Sequence, residues 1–279
     1  DSAVFTHCRL LPGISAFIGS DITAGILACG LLGATDRPEL LVDLGTNNEI
    51  VLATGGRLLA TATAAGPAFE GAAISCGIPA VIGAVNHVTW EEGRFFFTTL
   101  GAQPATGICG SGLLDLLACL RRAGLLDEDG GLQVDPEQPG EEPTFRLPSD
   151  QILRLTQADI RKFQLAKGAI AAGIQVVCRR AGIQVAEISR VHLAGAFGGS
   201  LSTESALLVG LIPPELAGRI KAGGNTALAG ALMSARDPVS LDLCRRIASG
   251  VQVIDLSHNP DFQDAFVKAM RFPVLPLAK

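Results

Sequence analysis

Apolar residues fall into short blocks separated by tight polar turns, and the clearest such unit spans residues 40–52. Leu40-Leu41-Val42 reads as a strand buried on both faces. Asp43 closes it, Gly45-Thr46-Asn47-Asn48 makes a turn, and Glu49-Ile50-Val51-Leu52 resumes the strand pattern. After Gly55-Gly56, Arg57 to Ala62 forms a third strand, so a three-stranded meander is predicted. Val85, Val88 and Trp90, then Phe95 to Thr99 beyond the turn Glu91-Glu92-Gly93, predict a second hairpin inserted beside the core sheet.

Helical periods fill much of the rest. Ser20 or Asp21 is placed to cap a helix from Ile22 to about Leu32, with an Ala- and Gly-rich face suited to close packing. No companion strand is visible for it, so residues 1–36 are read as a lead-in or hinge, and 37–279 as one lobe. Thr156-Gln157-Ala158-Asp159 is a capping pattern, followed by a stripe of Ile160, Phe163, Ile170, Ile174, Val177 and Ala181 that ends at Gly182. Lys167 falls inside the stripe, where it either snorkels to solvent or reaches a phosphate. Residues 127–150, rich in Asp, Glu, Pro and Gly, read as an exposed loop. Later come a strand at Arg190 to Leu193, a helix from Glu204 to Val209, a helix entry at Gly223-Gly224-Asn225, a strand at Val251 to Leu256 and a helix at Pro260 to Met270.

Composition narrows the class. With 279 residues, 48% hydrophobic and 18% charged, the chain can bury a sizeable core. A net charge of -5 gives no basic footprint, so nucleic acid is not expected as a partner. The longest apolar stretch, Ile22 to Ala34, is too short to span a bilayer, and no secretory signal is read. The chain begins at Asp1 rather than Met, as a fragment would. Seven cysteines without C-x-x-C spacing argue against a disulfide framework or a metal cluster and place the chain in the reducing cytoplasm.

Three turns carry candidate chemistry. Gly45, Thr46 and Asn47 either make an ordinary hairpin turn with polar residues or offer converging N–H groups to an anion, and in the second case Asp43 is placed to hold a water of a bound magnesium. Glu70, the one charge in a run of small residues, is either a solvated helix-start carboxylate or a site carboxylate facing Asp43. Gly110-Ser111-Gly112 leads directly into a helix, as an anion site or as a close-packing contact; Asp115 could reach the same cleft, and packing suits Cys109. The turn Gly195-Ala196-Phe197-Gly198 again joins a strand to a helix, and its glycines would let a flat ring approach the backbone or two layers pack closely.

These stretches, taken in order with Thr63-Ala64-Ala65-Gly66-Pro67-Ala68-Phe69-Glu70-Gly71-Ala72 and Lys167-Gly168-Ala169-Ile170, resemble the C-terminal part of the reductive activators of corrinoid proteins. That group lies in the superfamily of actin, sugar kinases and heat-shock ATPases. The resemblance implies an α/β, ribonuclease H-like, actin-type ATPase lobe, with a mixed sheet flanked by helices and an inserted β-hairpin. It implies ATP and Mg2+ as ligands, Gly45 to Asn47 as a phosphate turn and Gly195 to Gly198 as an adenosine turn. Asp43 and Glu70 are then the candidates for magnesium or water placement. The implied activity is ATP-dependent return of a corrinoid cofactor from Co(II) to Co(I), with the corrinoid protein as partner. The electron-carrying [2Fe–2S] cluster is expected on an N-terminal ferredoxin-like domain that, like the first ATPase lobe, is not seen here; a homodimer is another possible arrangement. Two alternatives stay open: a small-molecule kinase of the same superfamily, and a non-catalytic docking or dimerisation module.

Overall fold

The structure is a computed structural model that describes residues 9–33, 37–134, 141–147, 153–198 and 201–275. The chain opens with helix α1 (Ser20–Ala28), then the meander β1 (Glu39–Leu44), β2 (Asn48–Thr54) and β3 (Arg57–Thr63). The inserted segment carries β4 (Ala84–Glu91), β5 (Arg94–Thr99), β6 (Gly107–Ile108), α2 (Gly110–Arg122), β7 (Thr144–Arg146) and β8 (Arg154–Thr156). Helix α3 (Gln157–Ala181) returns the chain to β9 (Arg190–Ala194), the single turn α4 (Gly195–Gly198) and α5 (Thr203–Leu208). The last part is β10 (Ile220–Gly224), α6 (Thr226–Arg236), α7 (Pro238–Gly250), β11 (Val251–Val253) and α8 (Pro260–Met270).

The core is a six-stranded mixed sheet in the order β10-β9-β1-β2-β3-β11. β1, β2 and β3 pair antiparallel, whereas β9 runs parallel to β1, β10 to β9, and β11 to β3. Side chains alternate across it, as the period of two requires. Leu40, Val42, Leu44, Ile50, Leu52 and Leu59 enter the core shared with α2 and α3, while Leu41, Val51, Ala53, Leu58 and Ala60 enter a second core with α1 and α7. Both faces are covered, which is why the strands read as continuous apolar runs.

Helix α1, expected as a lead-in or hinge, packs onto the sheet's second face. Ile22 and Ile26 are fully buried in the second core, and α1 crosses α6 closely. A Cβ on Gly230 would lie 2.0 Å from the Ala24 carbonyl oxygen, so the small-residue face does the close packing expected of it. The sequence hid this because the sheet that covers α1 lies later in the chain. Helix α3 is capped as expected: the Thr156 hydroxyl accepts from the Asp159 N–H at 3.2 Å, and the Asp159 carboxylate accepts from the Thr156 N–H at 3.2 Å. Gly182 ends it in the left-handed region at φ 79°. The inserted hairpin is β4–β5, and β6 extends it to three strands. Part of the expected loop at 127–150 lies outside the described residues, while Thr144–Arg146 pairs with β8.

Candidate functional site

The turn at Gly45 to Asn47 follows β1, and the turn at Gly195 follows β9, the parallel neighbour of β1. Both therefore leave the sheet at the same edge, at the carboxyl ends of adjacent strands, where α/β sheets hold their ligands. They are pressed together. Gly195 sits at φ +92°, and a Cβ there would lie 2.3 Å from the Leu44 carbonyl oxygen and 2.6 Å from Asp43 Oδ1. Only glycine fits both the backbone conformation and the space. The side chains of Ala196 and Phe197 lie outside the described residues.

Thr46 and Asn47 are exposed on the turn, and the Thr46 hydroxyl donates to the Glu70 carboxylate. The loop after β3 is thus drawn over the turn after β1, and Glu70 faces the turn rather than open solvent alone. Beneath the turn, Asn48 is fully buried and its amide has no hydrogen-bond partner. That is an uncommon condition, costing about 1–3 kcal/mol in general.

Asp43 stands opposite Glu49 in the β1–β2 register. Burial, then the nearby Asp21 carboxylate, pushes the Asp43 carboxyl up to about 6. Burial, with Asp21 and then Asp43 beside it, pushes Glu49 up to about 7. Sequence reasoning missed Glu49 as a site residue and took Asp21 only for a cap. A signal for Glu49 was present: Asp43 and Glu49 flank the turn symmetrically, so a hairpin must place them side by side. Asp21 could not be found this way, because it arrives on α1 from another layer. Among the described residues no group of three or more His, Cys, Asp or Glu side chains is arranged to hold a metal ion. A cation at Asp43 would thus draw most of its ligands from water and phosphate, as magnesium does.

The other two candidate groups are drawn elsewhere. Ser111 is buried and donates to the Asn86 carbonyl at 2.9 Å, and a Cβ on Gly112 would lie 2.2 Å from the Val85 carbonyl oxygen. Gly110-Ser111-Gly112 therefore packs α2 against β4. Asp115 is buried in the same junction, accepting from Ser205 Oγ at 2.6 Å and lying 2.5 Å from His87 Nδ1. Lys167 is fully buried, and its ammonium donates to the Arg271 carbonyl. It neither snorkels to solvent nor meets the Gly45 turn in these contacts; the chain after α8 has taken it.

Comparison with known proteins agrees with this architecture. A family profile described as the C-terminal domain of RACo, the ASKHA domain, matches residues 37–278. The corrinoid activation enzyme RamQ of Eubacterium limosum is 29% identical over 280 residues, covering 94% of this chain and 47% of RamQ. The [Co(II) methylated amine-specific corrinoid protein] reductase of Methanosarcina barkeri is 28% identical over 248 residues, covering 80% of this chain and 44% of that protein. A solved structure of a reductive activator for corrinoid, iron-sulfur protein superposes with a TM-score of 0.84 at 36% identity, over 94% of this chain and 44% of that one. The chain spans about half the length of the curated relatives it matches. The mixed sheet flanked by helices is an actin-like ATPase lobe, and the chain belongs to the family of RACo C-terminal ASKHA domains.

Proposed function

We propose that this chain is the nucleotide-binding lobe of a reductive activator that uses ATP to help return a corrinoid protein from Co(II) to Co(I). The observation that carries the reading is the abutment of the Gly45 and Gly195 turns at the ends of two adjacent parallel strands, beside Asp43. Backbone N–H groups of Gly45 to Asn47 would take the phosphates, and the Gly195 to Gly198 turn the adenosine. The Asp43 carboxyl suits a divalent cation, because burial and Asp21 leave it short of positive charge. Magnesium would neutralise phosphate charge there, with Asp43 holding one of its waters. Glu70, tied to Thr46, would orient the water that attacks the terminal phosphate.

The relatives' names support the corrinoid protein as partner. In this reading the electron comes from a [2Fe–2S] domain elsewhere in a longer cytoplasmic protein, and the first ATPase lobe faces the cleft from there too. ATP acts by favouring one conformation of the activator–corrinoid complex, which requires that it bind the two conformations unequally. The reading is tested by joining this lobe to the N-terminal half of RamQ and following Co(I) absorption of a corrinoid protein with an electron donor. ATP-dependent Co(I) formation, lost in Asn47→Leu, supports it. Formation that is independent of ATP and of Asn47 contradicts it.

A further inference from the structure

Several serine hydroxyls donate to carboxylates for reasons of local structure or packing. Ser240 bonds to Asp237 and Ser257 to Asp255, each within one cap or turn. Ser75 bonds to Asp159, whose carboxylate also caps α3, and Ser205 bonds at 2.6 Å to Asp115 inside a buried junction. Thr46 and Glu70 fit none of these cases. Both are exposed, they lie 24 positions apart on two loops, and the Thr46 hydroxyl donates to the Glu70 carboxylate. Glu70 joins no ion pair among the described residues, so this hydroxyl is what occupies it. The hydroxyl of Thr63, also beside the turn, is buried and donates to the Asn48 carbonyl at 3.3 Å.

A hydroxyl whose proton rests on a carboxylate can turn its lone pairs elsewhere. A nucleophile within hydrogen-bond reach of its base is the arrangement that activates serine and threonine for group transfer. This pair stands on the turn from Gly45 to Asn47, which the proposed function gives to the phosphates of Mg–ATP, and the inference rests on that reading. We infer that Thr46 is a self-phosphorylation site: its Oγ attacks the terminal phosphorus of bound Mg–ATP, with Glu70 as the general base. The Oγ–P bond forms as the bond between that phosphorus and the β–γ bridging oxygen breaks. The hydroxyl proton passes to Glu70 and from there to solvent, and ADP leaves with the magnesium. Water and Thr46 thus compete for one base, and the carboxylate already holds Thr46.

The product limits its own formation. A phosphothreonine carries about −1.5 to −2 charges at neutral pH. On Thr46 it stands at the turn where Asp43 and Glu49 face each other across β1 and β2, in the place the nucleotide's phosphates take. A second ATP is thereby repelled, and labelling stops at one phosphate per chain.

Incubation of this chain with Mg–ATP labelled in its terminal phosphate tests the inference, with fragmentation mass spectrometry separating Thr46 from Thr54. Nucleotide binding is followed in the same sample by 15N shifts at residues 43–49. The expected result is label on Thr46, rising to one phosphate per chain at a rate per chain that dilution of the protein leaves unchanged. It should persist in Thr46→Ser, vanish in Thr46→Val, and form about a hundredfold more slowly in Glu70→Gln. Binding without label, binding with label on another residue, or a rate that falls on dilution overturns the inference and leaves the nucleotide reading standing. Absence of binding overturns both. Labelling of Glu70→Gln at the parent's rate overturns the assignment of the base. The site is read on the parent chain, so the test does not depend on a variant that folds.

Discussion

The hydroxyl of Thr46 donates to the carboxylate of Glu70, joining the turn after β1 to the loop after β3 through two exposed side chains. Neither residue has a large packing role, so the contact serves position. Glu70→Gln is expected to leave thermal stability within about 0.5 kcal/mol of the parent, as for surface changes. ATP turnover by the assembled activator should fall about a hundredfold, within the usual range for a lost water-positioning carboxylate. Steady-state phosphate release measures it.

Two glycines are fixed by space rather than by ligand chemistry, and their substitution reads as stability. Gly195→Ala meets the Leu44 carbonyl at φ +92°, and Gly112→Ala meets the Val85 carbonyl. Each should cost about 1–3 kcal/mol. Calorimetry should show Tm lowered by about 2–4 °C per kcal/mol for a lobe of this size class. A larger residue such as valine at 195 is expected to damage the fold as well as the cleft, so it is a poor probe of nucleotide binding alone.

Acidity should stabilise the cleft, against the usual trend for carboxylates. Folding raises the Asp43 carboxyl from 3.8 to about 6 and the Glu49 carboxyl from 4.5 to about 7. The folded state thus holds more protons between those values, and this contribution to stability falls as pH rises from about 4 to about 7. Glu49→Gln removes the repulsion and should raise Tm at pH 8 but hardly at pH 4.5. Magnesium should likewise raise Tm at pH 8 more than at pH 5. Thermal melts at the two pH values measure both.

The sequence disclosed what short-range patterns encode. The meander at 40–62 is legible because alternation and Gly-rich turns are local, and the capping box at Thr156 and Asp159 is legible for the same reason. The Gly45 and Gly195 turns were identifiable one at a time; their abutment depends on β9 pairing with β1 across a long insertion. Asp21 joins the site on a helix from another layer, so no spacing reports it. Lys167 sat in an apolar stripe with two plausible fates, and the third was set by residues about a hundred positions later. The Asp115 junction with His87 and Ser205 was equally out of reach, since three elements meet there.

If the abutting turns form a nucleotide cleft, Mg–ATP binds this lobe there. Titration followed by 15N chemical shifts tests it most directly, because it detects binding weakened by the absence of a facing lobe and reports where it occurs. Saturable, magnesium-dependent shifts concentrated at residues 43–49 and 194–198 are expected, with their loss in Asn47→Leu and the spectrum otherwise unchanged. No shifts at several millimolar nucleotide, or shifts confined to other parts of the lobe, would contradict it.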